Sequence, residues 1–149
     1  MKKKEEGNIK KYLSYRAAYA MMNKAIDLGF YLEAITIQES IISDRLLSFI
    51  IGKGIKNISE KDMHKSEANL FALIKLTTNF MPDDPSLVNA LDQFRIDRNR
   101  CVHLLVKSFP GKPTIDVKDF IALAKQTSEN GKKLTRRVLL WHNKQRKLK

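Results

Sequence analysis

An arginine and a histidine, Arg98 and His103, bracket the segment RNRCVH in the second half of the chain. Histidine is the side chain whose ordinary pKa lets it accept and donate protons near neutral pH. Arginine keeps its charge and presents a planar fork of donors that fits a phosphate group. Because RNA already carries the attacking 2′-hydroxyl, a proton-transfer group beside a phosphate-binding group is sufficient to cleave it. Arg98 and His103 are therefore candidate catalytic residues.

The same segment resembles the Arg-x4–6-His signature of the HEPN superfamily. Arg98 matches the arginine, Asn99 the polar residue directly after it, and His103 the histidine. Many HEPN proteins are metal-independent endoribonucleases of toxin–antitoxin, phage-defence and RNA-processing systems, and they are small all-α domains. The resemblance implies that this chain is such an endoribonuclease, a toxin or a phage-defence effector.

The resemblance also implies roles for three catalytic residues. His103 would deprotonate the 2′-hydroxyl or protonate the leaving 5′-oxygen, and Arg98 would stabilise the charge on the phosphorus centre. Asn99 would orient the histidine or donate a hydrogen bond to the phosphate. The products would be a 2′,3′-cyclic phosphate and a 5′-hydroxyl. We expect neither a metal nor a cofactor, because the sequence has no Cys or His pair at ligand spacing.

Helix geometry predicts that one chain holds this site loosely. Residues five apart on a helix point about 140° away from each other, so Arg98 and His103 do not share a face. Asn99 and His103 do share one. The resemblance implies a homodimer in which two copies form one cleft, and we expect its axis near the N-terminal half of the fourth helix. Arg95 and Arg100 flank the motif and are predicted to bind the RNA backbone.

Other functions remain open at this point. In the HEPN branch that is silenced by adenylylation, a tyrosine stands two positions after the histidine, where this chain has Leu105. An antitoxin or other regulatory partner would therefore act in another way. A catalytically silent helical module that binds nucleotide, nucleic acid or a partner protein is the main alternative. A small DNA-binding or structural protein is a third, based on charge alone.

Composition indicates one domain spanning residues 1–149, with a net charge of +12 that favours a polyanionic partner such as RNA. The residues from 131 onward carry cationic side chains and no acid. They could follow an RNA backbone, or simply complement the dipole at a helix end. A single cysteine, no apolar run of membrane length and no signal-peptide pattern at the N-terminus predict a cytoplasmic protein without membrane contact.

Apolar spacing predicts an all-α antiparallel bundle of four to five helices with a long C-terminal helix. Gly29 is predicted to end the first helix, and Asp84 with Pro85 to begin the fourth. Gly131 lies on the apolar stripe of the last helix, which predicts a close contact with another helix. Glu39, inside the second helix, is either a boundary residue or a partner for Arg98. The predicted helices cover residues 9–28, 31–51, 65–80, 86–107 and 116–146.

Overall fold

Five α-helices make up the computed structural model, which describes residues 1–65 and 68–148. These residues contain no β-strand, so the prediction of an all-α fold with a long last helix is confirmed. Each helix that they form is too short or too polar to span a lipid bilayer. The helices are α1 (Lys2–Asp27), α2 (Tyr31–Gly52), α3 (Leu70–Thr77), α4 (Pro85–His103) and α5 (Val117–Lys147).

The centre of the fold is the contact between α2 and α5. The side chain of Gln38 donates to the carbonyl of Ser128 at 2.7 Å, and further along both helices the rings of Phe49 and Trp141 lie 4.6 Å apart. These two contacts show that α2 and α5 run in the same direction. By contrast, α1 is antiparallel to α2, and α4 is antiparallel to α5.

The turn between α1 and α2 is closed by backbone hydrogen bonds around Gly29. The amide of Gly29 donates to the carbonyl of Ile26, and that of Phe30 donates to Ala25. Gly29 has a φ of 77°, which a residue with a Cβ rarely adopts. The glycine therefore ends α1 as predicted and lets the chain reverse into α2.

The three-four apolar spacing of the first helix runs through Leu13 and Met21 and predicts that both face the core. This prediction is wrong, because both are 54% exposed, whereas Met22 and Ala25 are buried. Two adjacent stripes of α1 are apolar, so the periodicity alone could not choose between them. The helix also begins at Lys2, several residues before the predicted start.

The third helix is shorter than predicted. It begins after Asn69, whose side chain accepts from the amide of Ala72, and it tightens into a 3-10 turn at Thr78–Phe80. Residues 66 and 67 of the predicted helix lie outside the described residues. The spacing of the sequence predicts that Leu70, Leu73, Ile74 and Thr77 of this helix point inward, and all four are buried.

The fourth helix begins as predicted and ends early. The carboxylate of Asp84 accepts from the amide of Leu87 at 3.1 Å, and Pro85 is the first helical residue. The helix ends at His103 instead of reaching Lys107. Beyond it, residues 105–107 are exposed, so a continued helix would bury no apolar face to stabilise it.

At Gly131 of α5, side chains of α2 and α4 approach the helix closely, as its place on the apolar stripe predicted. A Cβ built on Gly131 would lie 2.0 Å from Oε1 of Gln38 and 2.7 Å from Cε2 of Phe94. Only a residue without a side chain fits there. The close packing of Gly131 against Gln38 and Phe94 sets the position of α4 along the axis of α2. In that position Arg98 lies beside Glu39.

Candidate functional site

The guanidinium of Arg98 is held by two side chains. Its Nε donates to Oε2 of Glu39 on α2 at 2.5 Å, and its Nη1 donates to Oδ1 of the adjacent Asn99 at 2.8 Å. The side chains of Arg98 and Glu39 are 30% and 24% exposed. Two fixed donors leave the guanidinium little freedom to rotate, so it is directed toward α2 and not along α4.

Glu39 was predicted to be either a boundary residue or a partner for Arg98, and it is the partner. Its carboxylate partly neutralises the charge that a bound phosphate would otherwise meet in full. The remaining nitrogen, Nη2 of Arg98, is not committed to any described residue. A phosphate oxygen could accept a hydrogen bond from it without breaking the ion pair.

Asn99 is oriented by the same contact. Because its Oδ1 accepts from Arg98, its amide nitrogen points away from that bond and can donate to another group. The amide makes no other side-chain hydrogen bond with the described residues. Asn99 therefore offers a second donor beside the guanidinium of Arg98.

His103 lies apart from this pair. It is the last residue of α4, it is exposed, and its imidazole has no hydrogen-bond partner among the described residues. Five residues of helix separate it from Arg98 by about 7.5 Å along the axis and about 140° around it. Within one chain, the structure therefore brings Arg98 and Asn99 together but not His103.

The two predicted RNA-binding arginines both have partners inside the chain. Arg95 donates from Nε and Nη2 to Asp92 of the same helix, and its guanidinium lies 5.0 Å from the centre of the Phe71 ring. Arg100 is more exposed and lies 3.7 Å from Asp97. Of the two, Arg100 is therefore the one that is freer to meet a phosphate.

Cys101 lies inside the motif but faces the core. It is 1% exposed, and its thiol donates to the hydroxyl of Thr127 at 3.7 Å. Burial raises the pKa of the Cys101 thiol, which disfavours the nucleophilic thiolate. It packs α4 against α5, so the polar side chains of the motif are Arg98, Asn99, Arg100 and His103.

Exposed apolar side chains surround the end of α4. We call them the apolar rim. Val106 and Phe109 are 78% and 77% exposed, although both are large and apolar. In the N-terminal half of α4 the exposed side chains after Pro85 are polar: Ser86, Asn89 and Gln93. The apolar rim consists of Ile96, Val102, Leu105, Val106 and Phe109.

Arg45 lines a wide groove near the C-terminal end of α2. The sequence interpretation did not single out this residue. The groove also contains residues of α1 and α5, so no local motif in the sequence could have revealed it. Among the described residues, no group of three His, Cys, Asp or Glu side chains is placed to hold a metal ion.

Comparison with known proteins adds no assignment to this geometry. No protein-family model matches the chain, and no curated protein or solved structure shows significant similarity to it.

Proposed function

We propose that this protein is a metal-independent endoribonuclease of the HEPN type, acting as a toxin or phage-defence effector. The observation that carries the proposal is the anchored Arg98, with Nη2 uncommitted and the Asn99 amide beside it, followed by the exposed His103 at the end of the helix. The first two groups would bind the scissile phosphate. His103 would transfer the proton of the 2′-hydroxyl or of the leaving oxygen.

The proposal includes a homodimer, because the groups of one chain do not converge. A second copy would bring its His103 to the Arg98 of the first, and the reverse, as two-fold symmetry requires. The apolar rim supports this arrangement, since large exposed apolar side chains next to a polar site are typical of a protein interface. The sequence led us to expect the axis near the N-terminal half of α4. We now propose the C-terminal end of the helix instead, because the exposed side chains that follow Pro85 in the N-terminal half, such as Asn89 and Gln93, are polar.

Cleavage of total RNA by the purified protein in EDTA tests the activity. We expect new fragments with 5′-hydroxyl ends that a polynucleotide kinase can label, and we expect His103→Ala to abolish them. His64→Ala is the matched control, because His64 is also exposed but lies far along the chain from the motif. Equal cleavage by the wild type and His103→Ala would refute the catalytic role of the histidine.

The dimer is tested by sedimentation at micromolar concentration. Val106→Asp should shift the protein toward monomer and reduce cleavage. Leu140→Asp is the control, because Leu140 is 59% exposed on α5, away from the apolar rim. A wild-type protein that sediments as a monomer and still cleaves RNA would contradict the composite site.

The alternative is a catalytically silent module that binds nucleotide, nucleic acid or a partner protein. The ion pair of Arg98 with Glu39 favours it, because a guanidinium neutralised within the fold stabilises an incoming phosphate less. RNA binding without cleavage in the assay above, at concentrations where the protein is dimeric, would select this function.

A further inference from the structure

A groove of about 950 Å³ lies where the N-terminal part of α1 meets the C-terminal ends of α2 and α5. We call it the basic groove. Five of its lining residues are cationic, and none of the described residues that line it is acidic. The cationic residues are Lys11, Arg45, Lys53, Arg146 and Lys147.

Most of these charges are not neutralised within the fold. Lys11 forms an ion pair with Asp44 at 2.8 Å. Arg45, Lys53, Arg146 and Lys147 form no ion pair with a described residue. The basic groove therefore keeps a net positive field, and its concave wall concentrates that field on whatever enters it.

Arg45 is held in position although it has no acidic partner. Its guanidinium lies 4.0 Å from the centre of the Tyr15 ring, a cation–π contact. The Tyr15 hydroxyl in turn donates to Asp44, which fixes the ring. Nε of Arg45 is buried and has no hydrogen-bond partner among the described residues. A buried donor of this kind costs free energy unless a ligand or another group accepts from it.

His142 gives a second, independent indication of a ligand. It lines the basic groove with only 8% of its surface exposed, and its Nδ1 is buried without a partner among the described residues. Burial and the cationic neighbours Arg45 and Arg146 lower the pKa of His142, and the carboxylate of Asp44 acts against them. An unsatisfied histidine among arginines would be satisfied by an anionic hydrogen-bonding group and not by a cation.

We propose that the basic groove binds consecutive phosphates of single-stranded RNA, at a place separate from the Arg98 site. Arg45 lies on α2 and Lys53 directly follows the last residue of that helix. Their separation of eight residues corresponds to about 12 Å along the axis, too far for one phosphate to contact both closely. A chain of phosphates meets both. The identification of the polyanion as RNA rests on the proposed function. The positive field and the unpartnered polar groups are features of the structure and do not depend on that function.

The groove is placed to hold RNA outside the reaction site. Glu39, which marks the Arg98 site on α2, is six residues from Arg45 and fourteen from Lys53, or about 9 and 21 Å along the helix. RNA bound at both places would span several nucleotides. The basic groove then contributes affinity and positions the strand, while Arg98, Asn99 and His103 act on one bond.

The test measures binding of a fluorescent single-stranded RNA by anisotropy over a range of salt concentrations. All proteins carry His103→Ala, so that binding is observed without cleavage. The groove variant is Lys53→Gln with Arg146→Gln, both exposed side chains whose loss should not affect folding. The control is Lys75→Gln with Lys125→Gln, which are exposed, lie outside the groove and lower the net charge equally.

We expect the groove variant to bind on the order of tenfold more weakly at 0.1 M salt. The slope of log affinity against log salt concentration should become shallower by about 0.7 for each phosphate that the variant no longer neutralises. The control should bind like the parent. Equal weakening in both variants would mean that net charge alone attracts RNA and would overturn the site. Tighter binding to anionic lipid vesicles than to RNA would assign the groove to a membrane surface and would also overturn it.

The two proposals fail in different ways. RNA binding that depends on the basic groove, in a protein that never cleaves RNA, supports the groove and refutes the ribonuclease. Cleavage that the groove substitutions leave unchanged in rate and salt dependence supports the ribonuclease and refutes the groove.

Discussion

Arg98 of α4 and Glu39 of α2 form an ion pair that joins two helices across 59 residues of sequence. The pair is half-buried, so it is neither fully screened by solvent nor fully desolvated. The ion pair also sets the direction of the Arg98 guanidinium, the candidate phosphate-binding group, and turns it away from His103. The stability and the chemistry of the site therefore depend on the same contact.

A double-mutant cycle with Arg98→Ala and Glu39→Ala should give a coupling free energy of about 1 kcal/mol, since partial exposure weakens the pair. Urea unfolding of the four proteins measures it. The control cycle uses Arg100 and Asp97, which are 3.7 Å apart within α4 and lack the 2.5 Å contact of the Arg98 pair, so they should couple more weakly. Equal coupling in the two cycles would contradict the structural role of Glu39.

Gly131→Ala should destabilise the fold by about 1–3 kcal/mol, the usual cost of overpacking, although alanine favours a helix. The added Cβ would lie 2.0 Å from Oε1 of Gln38, whose amide is committed to Ser128. Gly7→Ala in α1 is the control, because a Cβ there meets nothing within 4 Å. Thermal unfolding should rank Gly7→Ala at or above the wild type. A stabilised Gly131→Ala would show that the three helices do not meet as described.

His142 predicts a loss of stability at mildly acid pH. Burial, followed by the charges of Arg45 and Arg146, lowers the pKa of His142 below its ordinary value of 6.5. Below that pH the imidazole of His142 binds a proton more readily in the unfolded chain than in the folded protein. The free energy of unfolding should therefore fall as the pH decreases below 6.5, by at most about 1.4 kcal/mol per pH unit, and should level off below the folded pKa.

The measurement is urea unfolding at pH 7.5 and 5.5 for the wild type, His142→Gln and His64→Gln. The decrease should be smaller in His142→Gln. It should be unchanged in His64→Gln, because the side chain of His64 is exposed to solvent in the folded protein as it is in the unfolded chain. A decrease of equal size in all three proteins would assign the pH dependence to other groups.

Cys101 should react slowly with an aromatic disulfide reagent at pH 8 in the folded protein and at once in urea. Burial both hides the thiol and raises its pKa, so little thiolate forms. Cys101→Ser is the matched control for the assay. Fast reaction in the native state would mean that α4 separates readily from α5 near Thr127.

The elements that were predicted correctly depend on local chemistry. The cap at Asp84 with Pro85, and the turn at Gly29, need only neighbouring residues to form. Gly131 was recognisable because it interrupts an otherwise apolar stripe in the correct register. In these places the sequence contains the whole physical cause of the structure.

The wrong predictions concern positions whose structure depends on residues elsewhere in the chain. Met21 and Met22 are equally apolar, and only the packing of α1 on α2 decides which one is buried. The end of α4 at His103 depends on the absence of a packing partner for Leu105 and Val106 among the described residues. For the candidate site, the motif was visible in the sequence. The direction of the Arg98 side chain was not, because it is set by Glu39, which the sequence predicted only as one of two possible roles.

The parallel run of α2 and α5 has a consequence for how the chain folds. The buried bond from Gln38 to Ser128 closes a loop of 90 residues, so the central layer cannot form until nearly all of the chain has been synthesised. Until then the apolar face of α2 has only α1, α3 and a small contact with α4 to cover it. A ribosome-bound chain lacking α5 should therefore be a substrate for chaperones, and folding should be slower than in bundles whose sequence neighbours make all the contacts.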